Sequence, residues 1–275
     1  MYLPKTVESR LLISAANKIE DNRIRFKDKR GSICHAYQYE KDSQQPCISA
    51  LFHSIRSLVF IDLLLEGRLV DDDEKFSRGG KYTRKALHEP YKSGFLNFLS
   101  SCYCPSGGFA LYDSSNEPDV FQTKYALQTL RLLIIENVIN YSEISWLKFA
   151  DVIEFIASCY YLGGFSSMSI KGKKPDEIIA PNLFSTMTAL NCLKLMELFR
   201  LNNVFYPDAK YKTYLNMIHD SVTNIRKFID SHHKSDVSYL AEFHGEFDYY
   251  SLPNFEKLEK DPELVTSIVY YSIYL

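Results

Sequence analysis

One tryptophan, Trp146, is all that 275 residues contain, and neither sign of charge is in excess: the formal net charge is −2. A near-neutral chain gives no electrostatic reason to expect nucleic acid or an anionic surface as a partner. The six cysteines, at 34, 47, 102, 104, 159 and 192, include no Cys-x-x-Cys pair. Most fall in apolar helical stretches, which suits reduced, buried thiols in a cytoplasmic protein. No run reaches the roughly 18 uncharged apolar residues of a membrane span. Met1–Arg10 is polar, unlike a secretory leader. P-loop, Gly-x-Ser-x-Gly and Gly-x-Gly-x-x-Gly signatures are also missing. Strand-type alternation of useful length is not evident either. The expectation is therefore an all-α class.

What the chain has in quantity is aromatic rings, 20 Tyr and 18 Phe, and helical periodicity. Helices are expected over Val7–Lys18, Cys47–Glu66, Tyr91–Cys102, Pro118 to about Val138, Ser142–Tyr160, Pro181 to about Phe199 and Tyr211–Ser231. A last one starts at Asp261-Pro262. Glu20–Arg30, the stretch from Gly31 to Pro46 and Asp71–His88 read as charged or turn-rich loops.

A repeat underlies these helices. Ser101-Cys102 leads to Gly107-Gly108-Phe109 and then Pro118; Ser158-Cys159 leads to Gly163-Gly164-Phe165 and then Pro181. Four prolines, Pro46, Pro118, Pro181 and Pro262, superimpose at spacings of 72, 63 and 81 residues. Two positions on stand Ile48, Val120, Leu183 and Leu264; nine on, Ile55, Leu127, Leu190 and Tyr271; twelve on, Leu58, Leu130, Leu193 and Tyr274. Those offsets share one stripe of a helix, so each copy presents the same face to its neighbours. Such a pattern describes stacked helical hairpins with variable loops, the last marked by a degraded turn at Gly245-Glu246-Phe247.

The combination Ser-Cys … Gly-Gly-Phe … Pro-Asp-x-x-x-Thr-x-x-Ala-Leu resembles the repeat of the terpenoid cyclase and protein prenyltransferase β-subunit superfamily. The likeness covers about residues 90–200 well and the flanking copies weakly. It implies an α/α toroid, or an incomplete one, spanning 1–275 as a single domain around a central hydrophobic cavity. Four hairpins are countable where the family closes with about six. The expectation is an open side, completed by further chain, by a protein partner or by self-association.

The family's chemistry maps onto this chain only in part. Its cyclases carry an Asp-x-Asp-Asp-Thr motif whose clustered carboxylates keep one acid protonated. Here Asp119 and Thr123 match, while Phe121 and Gln122 stand in place of the central acids. Asp119 is thus the candidate proton donor. Asp71-Asp72-Asp73-Glu74 reads instead as a solvated charge run. The family's zinc site needs a thiolate where Phe121 stands, and neither Cys102-x-Cys104, Cys34-His35 nor His232-His233 supplies a set, so no metal site is assigned. The thioester and lanthionine-cyclase patterns of other toroids are absent as well.

Side chains expected to face the centre are Phe52, His53, Phe121, Tyr125, Phe184 and Thr188. Aromatic faces stabilise cations, which suits a carbocation, although rings also simply fill helical cores. The functional expectation is an isoprenoid-processing enzyme acting on a prenyl or other hydrophobic small molecule. No cofactor is assigned, with magnesium entering only if the substrate is a diphosphate. The alternative, from another class, is a non-catalytic toroid that binds a partner or a lipid.

Overall fold

The computed structural model describes residues 5–39, 45–65, 81–200, 216, 219, 220 and 222–224. The expected turn at Gly245, the helix from Pro262, the acidic run Asp71–Glu74 and His232-His233 lie outside them. The fold is mainly helical. Among the described residues seven α-helices are bounded: α1 (Lys5–Asp21), α2 (Ile48–Leu65), α3 (Lys81–Leu87), α4 (Tyr91–Cys102), α5 (Val120–Ile135), α6 (Phe149–Ala157) and α7 (Leu183–Arg200). Contacts divide the chain into two compact units. One comprises residues 1–118 and 122–148; the other comprises 119–121 and the chain from Phe149 onward.

All three described copies keep one register. The helices that follow the repeat prolines, α2, α5 and α7, start at Ile48, Val120 and Leu183, two residues after Pro46, Pro118 and Pro181. Each proline therefore sits just outside its helix, whereas the sequence places Pro118 and Pro181 at the first helical position and starts the first of these helices at Cys47. The shared stripe is buried where the period places it: Ile48, Ile55, Leu58, Val120, Leu127 and Leu130 are all within about one per cent of full burial. Leu193 is buried as well, while Leu190 is half-buried.

In the first unit, the segments 20–30 and 31–46 do not form loops throughout. β1 (Arg23–Lys27) pairs antiparallel with β2 (Ile33–Tyr37), Arg23 opposite Tyr37 and Lys27 opposite Ile33. The turn is set by Asp28, whose carboxylate accepts the N–H groups of Arg30 (2.9 Å) and Ser32 (2.8 Å). Gly31 completes it at φ 79°, a conformation that favours glycine.

The hairpin lies on α4. Tyr37 stacks on Phe95 with centroids 5.7 Å apart, and Phe26 meets Phe98 edge-on at 5.7 Å. Gly94 permits this approach: a Cβ there would sit 2.8 Å from the His35 backbone nitrogen. A part-buried polar relay ties the hairpin to α1. Tyr37 Oη donates to Glu20 (2.6 Å), Glu20 pairs with Arg23 (3.1 Å), and the Arg23 guanidinium lies 3.5 Å over the Tyr91 ring.

α2 is the core helix of this unit. Among the described residues it is the one helix long and apolar enough to cross a membrane, yet half of it is buried inside the fold. Its buried Asp62 accepts the Tyr82 N–H at 3.0 Å, satisfying a donor in the first turn of α3. Residues 81–87, expected as loop, are helical for that reason and because Ala86 and Leu87 are buried.

The expected helix 142–160 is two pieces. Asn140, not Ser142, caps the first. Its side chain accepts from Ser142 N (3.0 Å) while Glu143 reaches back to Asn140 N (3.0 Å), giving a single turn at Tyr141–Ile144. Lys92 pairs with Glu143 at 2.7 Å and fixes this turn to α4. α6 begins afresh at Phe149.

Two more short strand pairs adjoin the glycine turns. The first is β3 (Phe109–Ala110) with β4 (Pro118–Asp119); the second is β5 (Tyr160–Tyr161) with β6 (Gly164–Phe165).

Candidate functional site

The Gly-Gly-Phe turns are locked by the helices that follow them, α5 and α7. In the first unit, Thr123 Oγ1 accepts the Phe109 N–H at 3.0 Å. In the second, Thr186 Oγ1 accepts the Phe165 N–H at 3.0 Å, and Ser185 Oγ donates to the Phe165 carbonyl. Thr123 and Thr186 stand five residues after Pro118 and Pro181, and both are fully buried. A buried N–H without an acceptor costs about 1–3 kcal/mol, so these hydroxyls are structural. The threonine that matches the cyclase motif therefore holds a turn.

Asp119 lies half-buried at the end of β4, directly before α5. Its charge reaches Cys159: burial pushes that thiol up to about 12, and the Asp119 carboxylate adds to the shift. The remaining cysteines are buried too. Burial raises Cys34 to about 12 and Cys102 well above its ordinary value, with Asp113 adding to both. Among the described residues, no three His, Cys, Asp or Glu side chains are placed to hold a metal ion.

Three of the six expected cavity residues come together in the first unit. Phe52 and His53 on α2 meet Tyr125 on α5. The centroid distances are 5.2 Å for Phe52–His53, 5.4 Å for Phe52–Tyr125 and 5.1 Å for His53–Tyr125. The shared stripes of α2 and α5 are buried, and Phe52, His53 and Tyr125 stand beside those stripes. Phe121, Phe184 and Thr188 belong to the second unit, where the two phenylalanines are half-buried and Thr188 is buried.

Three further members, not among the expected cavity residues, join this cluster. Tyr39, 57% exposed just beyond β2, approaches the His53 ring at 6.5 Å. Arg56 places its guanidinium 5.8 Å from the Phe52 centroid, and Lys124 Nζ lies 4.5 Å over the Tyr125 ring. Both could have been found as cations beside expected rings, Arg56 four residues after Phe52 and Lys124 next to Tyr125.

His53 keeps an exposed edge, but partial desolvation against the rings lowers its pKa below the ordinary value, and the positive charges of Arg56 and Lys124 lower it further. The site is thus a ring cluster beside two cations and an imidazole whose protonation is disfavoured. It suits an apolar group joined to an anionic one.

No family model and no curated protein matches the chain. Among solved structures, it is similar to Candida albicans protein geranylgeranyltransferase-I complexed with GGPP. The TM-score is 0.44 at 18% identity, covering 74% of this chain and 54% of that one. The chain spans about half the length of that structure.

Proposed function

We propose that this chain binds a prenyl diphosphate on the Phe52–His53–Tyr125 face, as an isoprenoid-handling protein built on the toroid plan its repeats resemble. The observation that carries the proposal is the juxtaposition of three rings with Arg56 and Lys124 in one unit. Guanidinium and ammonium groups suit diphosphate oxygens, and ring faces suit an allylic chain or a developing cation.

The exposed stripe of α2 supports an elongated apolar tail. His53, Arg56, Phe60 and Leu64 follow at helical spacing, and Phe60 is 51% and Leu64 37% exposed. From His53 to Leu64 the helix rises about 16 Å.

A prenyl-processing reaction would need an acid or a metal-held diphosphate. Asp119 keeps the motif position for an acid, and magnesium would arrive with the diphosphate. Binding without turnover is the second reading. It is favoured by Phe121 and Gln122 standing where the cyclase acids would be, and by Thr123 being committed to its turn.

Incubation with C10, C15 and C20 prenyl diphosphates, with and without magnesium, followed by mass spectrometry separates the two. A product lost in Asp119→Ala supports an enzyme. Saturable binding with no product supports a prenyl-binding protein. No binding of any of the three overturns the proposal.

A further inference from the structure

The β5–β6 hairpin turns through Leu162 and Gly163, at φ 45° and 83°. A two-residue turn with both residues left-handed is suited to Asn-Gly, and leucine there carries a steric cost. The core gains nothing in exchange, since Leu162 is 62% exposed, the highest value among the large apolar side chains described. The turn after α4 has polar Ser106 before Gly107. Leu162 is nonetheless held firmly: Asn224 Nδ2 donates to the Gly163 carbonyl at 3.1 Å, and Tyr160 packs on Phe165 at 5.2 Å.

A basic loop is anchored to the root of the same hairpin. Ile170 N donates to the Ser158 carbonyl at 3.0 Å, and the Ser158 and Ser169 hydroxyls bond at 2.8 Å. From there Lys171, Gly172, Lys173 and Lys174 are all exposed, with Gly172 at φ 78°. Two carboxylates follow, Asp176 and Glu177. The latter is engaged with the Lys174 N–H at 3.1 Å.

We propose that Leu162 and the Lys171–Lys174 loop form a contact for an anionic bilayer surface. The leucine tip would enter the head-group boundary and the lysines would meet lipid phosphates. The overall charge of −2 does not oppose this. Charges more than about 8 Å away are screened at physiological salt, while each lysine at an anionic surface is attracted locally. A leucine that strains its own turn and stays in water is accounted for by burial in a second phase. The ring cluster on α2 plays no part.

Vesicle flotation tests the contact, using phosphatidylcholine alone and with about 30% phosphatidylserine. Wild-type protein should float with the anionic vesicles and lose binding as salt rises. Leu162→Asn should bind about tenfold more weakly while raising Tm, because asparagine accepts the left-handed turn. Lys171→Glu with Lys173→Glu should abolish flotation. The proposal is overturned by equal flotation on both vesicle types, by Leu162→Asn binding like wild type, or by a lower Tm for that variant. Binding only to an acidic protein would also overturn it.

Discussion

Thr123 Oγ1 accepts the backbone N–H of Phe109 across 14 positions of chain, and Thr186 serves Phe165 in the same way across 21. Thr123→Val keeps the volume and removes the acceptor, leaving a buried donor unsatisfied. A loss of about 1–3 kcal/mol is expected in urea unfolding, with most of it recovered in Thr123→Ser. Thr186→Val should behave alike. A neutral result for both would remove the hydroxyls from the account of the turns.

Gly94→Ala tests the seat of the β1–β2 hairpin. The added Cβ would clash with the His35 ring and lie 2.8 Å from its backbone nitrogen, so α4 or β2 must shift. The cost should reach the upper end of about 1–3 kcal/mol, although alanine is the better helix former. A more stable variant would show that the hairpin does not lie there.

These two positions also show what the sequence could and could not reveal. Pro46, Pro118 and Pro181 mark the starts of α2, α5 and α7 to within two residues, and in α2 and α5 a stripe buried at 0–1% leaves a strong period. The β1–β2 hairpin was hidden because Arg23, Arg25 and Lys27 alternate with Ile24 and Phe26, and the charges read as a solvated run. Asp28 and Gly31 were its signal. The aromatic cluster was half legible: the helical spacing suggested Phe52, His53 and Tyr125, whereas Tyr39 joins them through tertiary folding that no local pattern records.

Stability should fall as pH drops from about 7 to 5. Burial followed by Arg56 and Lys124 holds His53 below 6.5, and burial followed by Arg23 and Arg25 does so for His35. Below 6.5 the unfolded chain binds protons that the folded one refuses, so unfolding gains as pH falls. His53→Gln should flatten part of this slope in urea midpoints taken across the range. Unchanged slopes would contradict the placement of His53 beside its two cations.

Thiol chemistry gives an independent check on the core. Cys34 and Cys159, pushed up to about 12, and Cys102 should resist alkylation at pH 8 in the native state. All six cysteines should react once urea unfolds the chain. Rapid native labelling of Cys34 or Cys159 would contradict their burial.

The central claim is tested most directly by calorimetric titration of farnesyl diphosphate into wild-type protein and into Arg56→Gln and Tyr125→Leu, with farnesol as the uncharged control. The prediction is saturable binding that tightens as pH falls through the His53 range, because an imidazolium adds a third positive charge. Each variant should weaken it about tenfold, and farnesol should bind more weakly still. Absence of saturable binding, or equal affinity in wild type and both variants, would contradict it.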